Sequence, residues 1–139
     1  MPRFNRDALA RELDGEGVVY RHIPELGGRR RPIPDGPNQG WRVEAFRGYA
    51  DHTASAEFQA GVDHLQEMAR RWPTAIMCAE AVWWRCHRRL VADALVVRGW
   101  EVVHISPDGG LTTHELTPFA VPHGPRITYP PAQASLPSG

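Results

Sequence analysis

The stretch from Thr74 to Ile105 constrains the fold more than any other part of the chain. It opens with a short apolar run, Thr74–Cys78, and crosses a connection of about seven residues into an amphipathic segment, Cys86–Val97. It ends in a second apolar run, Glu101–Ile105. Within the middle segment Leu90, Val91, Ala94 and Leu95 recur at helical spacing, and Gly99 stops the pattern. Two strands joined through a helix are expected to lie in one sheet with a right-handed parallel crossover. The order therefore predicts an α/β domain.

The flanks extend this reading. Asn5 is a helix cap, Asp7 sits in the first turn, Leu9 and Leu13 share one face, and Gly15 with Gly17 end the helix. Val18–Ile23 reads as a strand closed by Pro24. Residues 25–41 form a long loop rich in Gly, Pro and Arg, with Arg29-Arg30-Arg31 at its middle. A short helical turn is expected over 43–52. Ser55 then caps a helix on which Phe58, Val62, Leu65 and Met68 or Ala69 keep helical spacing until Pro73. Leu111–Leu116 reads as an edge strand. Six of the thirteen prolines fall in the last 22 residues, so 117–139 is expected to be a disordered tail without core residues, and 1–116 the single domain.

Charge narrows the chemistry. Sixteen acidic residues meet sixteen basic ones, and every basic residue is arginine. Without lysine, an imine-forming or lysine-base mechanism and the Gly-Lys-Ser/Thr phosphate loop are excluded. Guanidinium groups remain, suited to bidentate binding of phosphate or carboxylate. Net charge is zero, yet the charges separate along the chain: Arg21 to Arg47 holds six arginines against three acids, and Arg85 to Arg98 four against Asp93 alone. Two cysteines form no disulfide framework, and neither a signal peptide nor an apolar span is visible. The expectation is a cytoplasmic protein with free thiols and no membrane partner.

In open α/β sheets ligands sit at strand ends. Here Cys78-Ala79-Glu80 ends a strand and Cys86-His87-Arg88-Arg89 opens a helix. Cys78 or Cys86 is the candidate nucleophile, with Glu80 or His87 as proton carrier. The positive end of the helix would lower the Cys86 thiol. Each has a plainer alternative, which stays open: Cys78 as a small buried apolar residue, Glu80 as an ion-pair partner of Arg85, Arg88 or Arg89. Cys78, Cys86 and His87 with His104 or Glu80 would be a soft metal set, but the Cys-x-x-Cys spacing of zinc sites is missing, so no metal and no cofactor are assigned. A phosphatase-type loop fails too, because Arg85 stands one position too far from Cys78.

A second cluster combines His22, Gly27, Gly28, Arg29, Trp41, Arg42, Phe46, Arg47, Gly48, Tyr49 and Asp51. Aromatics interleaved with arginine suit anions or flat rings, so His22, Arg29, Trp41, Arg42, Arg47 and Tyr49 join Arg88 and Arg89 as candidate ligand contacts. Trp83-Trp84 reads as a hydrophobic cover over the strand ends.

Taken in order, His22-Ile23-Pro24-Glu25-Leu26-Gly27-Gly28-Arg29, Asn38-Gln39-Gly40-Trp41-Arg42, Phe46-Arg47-Gly48-Tyr49-Ala50-Asp51, Cys78-Ala79-Glu80, Cys86-His87-Arg88-Arg89 and Val103-His104-Ile105 resemble the domain-of-unknown-function family 488 over residues 4–105. The resemblance implies a Rossmann-like, three-layer α/β domain with a short, mostly parallel sheet and no established biochemical role. It also implies an N-terminally truncated form, because family members usually begin with a strand, a helix and a second strand before the loop that Pro2-Arg3-Phe4-Asn5 resembles. Three function classes stand: an anion or phosphate site directed at nucleic acid or nucleotide, a small-molecule enzyme with a cysteine nucleophile, and a non-catalytic interaction module.

Overall fold

The computed structural model describes residues 6–28, 30–77 and 86–131. Its helices follow the local signals. Helix α1 spans Arg6–Gly15, a single 3-10 turn covers Pro24–Leu26, α2 spans Glu44–His52, α3 Ala56–Arg71 and α4 Arg88–Val97. The Ser55 hydroxyl accepts the Phe58 N–H at 3.0 Å, which fixes the start of α3 as the sequence indicates. Asn5, the expected cap of α1, lies outside the described residues.

The sheet is where expectation and structure part. Among the described residues, strands form only two antiparallel pairs: β1 (Val103–Ile105) with β2 (Leu111–Thr113), and β3 (Val121–His123) with β4 (Arg126–Thr128). The mostly parallel, Rossmann-like sheet is therefore not the architecture of this chain. Strand β1 takes its nearest neighbour in sequence through a tight turn. There Gly109 N–H reaches Ser106 O at 2.8 Å, and the Asp108 carboxylate accepts the Gly110 N–H at 2.9 Å. Closing that short loop costs far less chain entropy than bringing β1 beside 74–77 through a helix. The segments 18–23 and 73–77 are not assigned to any strand, and Val18, Val19 and Met77 stand in solvent at 48%, 69% and 53% exposure.

The core gathers around α4. Leu90 through Leu95 are buried without interruption, so α4 is a central helix rather than the one-sided helix its spacing suggests. Phe58, Val62 and Leu65 of α3, Tyr49 and Ala50 of α2, and Trp41 pack with it. The Pro-rich stretch also contributes: Ile127 and Tyr129 are 5% and 1% exposed and belong to the same cluster, so the expectation that this region carries no core is corrected. Prolines at Pro122 and Pro125 interrupt helical and strand periodicity, but a two-stranded hairpin needs only a few residues to seat a buried side chain, here Ile127 of β4. Among the described residues no helix is long and apolar enough to cross a membrane.

A candidate anion-binding site

The two residue clusters, separate in sequence, meet in space. His87, at the cap of α4, stacks on the Tyr49 ring of α2 at 4.3 Å and 16°, with Phe46 edge-on at 5.7 Å. The Arg89 guanidinium lies 4.9 Å above the Trp41 ring. Trp41 in turn meets Phe46 edge-on at 5.2 Å. Arg47 donates through Nη1 to the carbonyls of Trp41 and Arg42, both at 3.0 Å. Arg47, His87 and Arg89 thus border one aromatic patch where the first turns of α2 and α4 approach, with Arg42 and Arg88 their neighbours along the chain. The first turn of α4 holds no acid.

The loop before α2 is held by the motif residues themselves. The Tyr49 hydroxyl donates to Leu26 O, and His52 Nε2 lies 2.7 Å from Glu25 O. Asp51 accepts the Ile33 N–H at 2.7 Å and the Asn38 amide at 2.8 Å. Asn38 Oδ1 then accepts the Tyr129 N–H at 2.7 Å. Gly48 permits the closest approach, since a Cβ there would stand 1.8 Å from Arg30 O.

Several expected site residues take other parts. Trp41 and Tyr49 are 5% and 0% exposed, so neither offers a face on which a base could stack. Burial also pushes the Tyr49 hydroxyl above its ordinary range. His22 is exposed in the segment before Pro24 and makes none of these contacts. Arg29, Cys78 and Glu80, and with them Trp83, Trp84 and Arg85, lie outside the described residues. Cys86 is buried and disulfide-bonded, so the expected free thiol at the helix start is corrected: its sulfur has no proton to lose. The backbone at that start is engaged as well. Arg88 N–H reaches Cys86 Sγ at 3.4 Å, Arg89 N–H reaches Cys86 O at 3.0 Å, and Leu90 N–H reaches His87 O at 2.9 Å. Positive charge at this end of α4 therefore comes from side chains and not from open N–H groups.

One polar network escaped the reading of the sequence. Asp93, fully buried in α4, accepts from His114 Nε2 at 2.7 Å, from the Thr117 N–H at 3.1 Å and from the Tyr129 hydroxyl at 2.8 Å. His114 Nδ1 lies 2.7 Å from Nε2 of His104, the buried residue of β1. Asp93 accepts from His114 Nε2–H, and the facing Nδ1 and Nε2 of the two imidazoles share a single proton between them. Burial, then His114, then Arg88 lower the His104 imidazole to about 4, against the pull of Asp93, so it is neutral at pH 7. The signal was present: an aspartate amid Leu90, Val91, Ala94 and Leu95 needs a partner once the helix is buried all round. Among the described residues no group of three His, Cys, Asp or Glu side chains is placed to hold a metal ion.

The family model described as Domain of unknown function DUF488 matches residues 1–95, which takes in both motif clusters and most of α4 and leaves the two hairpins outside. No curated protein and no solved structure matches the chain. The match covers more than half of the chain and includes the residues that join α2 to α4, so the chain belongs to the DUF488 family.

Proposed function

We propose that this protein binds the phosphate groups of a nucleotide or nucleic acid at the junction of α2 and α4. The observation that carries this reading is the meeting of Arg47, His87 and Arg89 around Trp41 and Phe46, with Arg42 and Arg88 adjacent to them in the chain. Guanidinium groups hold phosphate oxygens through paired, charge-assisted hydrogen bonds. With Trp41 and Tyr49 buried, the contact is to the phosphate backbone and carries no base preference. A cysteine-based reaction has no support from Cys86, whose sulfur is bonded.

Fluorescence anisotropy tests the reading with a labelled single-stranded oligonucleotide and a labelled nucleoside triphosphate. Arg42→Gln and Arg88→Gln are each expected to weaken binding by roughly tenfold, the loss of one charge-assisted contact. Arg42 is exposed, so its replacement leaves the fold intact. Equal affinity of native protein and Arg42→Gln, together with no binding difference in Arg88→Gln, would sink the proposal.

A further inference from the structure

At the opposite end of α4, about 15 Å along its axis from Arg88, lies a second concave surface. It is a groove of about 410 Å³ between α3, Arg98 and the turn joining β3 to β4, lined by Gln59, Asp63, Gln66, Arg98, Pro125 and Arg126. That volume lies within the range of small-ligand sites. Gln59, Asp63 and Gln66 stand four and three residues apart on α3 and so share one helix face.

The walls are fixed by their own hydrogen bonds. Arg98 donates through Nη1 to Asp63 Oδ1 at 2.7 Å and through Nη2 to Gln59 Oε1. Its side chain is only 12% exposed, against 69% for Asp63. The Gln59 amide is anchored on Thr53 O at 2.9 Å, and Gln66 Oε1 accepts the Trp100 indole N–H at 3.0 Å. Arg98 Nε is buried and has no hydrogen-bond partner among the described residues. A buried donor without a partner is costly unless something else satisfies it. Facing it, Arg126 is exposed on β4. Two guanidinium groups and one carboxylate therefore look into one groove, with Asp63 Oδ2 left toward solvent while Oδ1 is taken by Arg98 and Gln66.

We propose that this groove binds a small zwitterion of the α-amino-acid class, its carboxylate held by Arg126 and Arg98 and its ammonium group by Asp63. A bare anion would meet the Asp63 charge, and a bare amine would meet two guanidinium groups. Arg98 and Asp63 offset one another across their 2.7 Å pair, which leaves the outer Asp63 oxygen and the exposed Arg126 as opposite charges that a ligand bearing both meets together. The groove is remote from the phosphate contacts, so this site stands whether or not they do.

Calorimetric titration of the full chain with each of the common α-amino acids, and with acetate, methylamine and inorganic phosphate, tests it. At least one amino acid is expected to bind, and acetate, methylamine and phosphate to bind at least tenfold more weakly. Arg126→Gln, an exposed change, is expected to weaken that amino acid about tenfold with the thermal midpoint unmoved. Asp63→Asn is expected to narrow the gap between amino acid and acetate. The proposal is overturned if no amino acid binds, if acetate or phosphate binds as well as the best amino acid, or if Arg126→Gln leaves the affinity unchanged.

Discussion

Asp93 shows how much one side chain decides here. Its carboxylate satisfies a histidine, a backbone N–H and a tyrosine hydroxyl inside the core. Asp93→Ala would leave those donors unpaired, and a loss on the order of 3 kcal/mol is expected in urea unfolding. Beside it, His104 ties stability to pH. Its imidazole falls from 6.5 in the unfolded chain to about 4 when folded, so between those values the unfolded state binds the extra proton and stability falls as pH falls. Above pH 6.5 this contribution is complete. His104→Gln should flatten the fall in unfolding midpoint between pH 7 and 5; an identical slope in native and variant proteins would remove His104 as its source. Both residues stand in the sequence without a visible partner. His104 reads there as a spare metal ligand within a family motif and Asp93 as a lone acid among arginines, because their partners sit 10 and 21 residues away.

At the scale of the element, helices were legible and the sheet was not. Ser55, Gly99 and Pro73 act within a turn of the helix they bound, so their effect can be read locally. Ser55→Ala is expected to lower stability by about 1 kcal/mol, measured as a shift in unfolding midpoint at constant slope. Strand pairing depends on distant chain. Thr74–Met77 and Glu101–Ile105 carry the composition of adjacent strands, yet β1 pairs with β2 across the Asp108-Gly109-Gly110 turn. The arginine and aromatic clusters were legible as a candidate site. What the spacing could not show was that Trp41 and Tyr49 would be buried, since their burial comes from Phe119, Tyr129 and α4, all remote in sequence. Gly48→Ala probes the same long-range contact. Its Cβ would overlap Arg30 O, a backbone atom that cannot swing aside, and a loss of about 3 kcal/mol is expected in the unfolding midpoint.

The whole molecule carries no net charge, and that number conceals its arrangement. Acids concentrate on α1 and just after it, where Glu12, Asp14 and Glu16 face solvent, and arginines border the junction of α2 and α4. On the proposed function, a neutral protein built this way would attract phosphate only at close range, through contacts that displace counterions one by one. The most direct measurement is therefore the salt dependence of affinity for a single-stranded oligonucleotide of mixed sequence. Three phosphate contacts predict a linear fall of log affinity with log salt at a slope of roughly −2, unchanged when the base sequence is altered and shallower in Arg42→Gln. A slope near zero, or one that Arg42→Gln leaves as steep, would contradict phosphate binding at this junction.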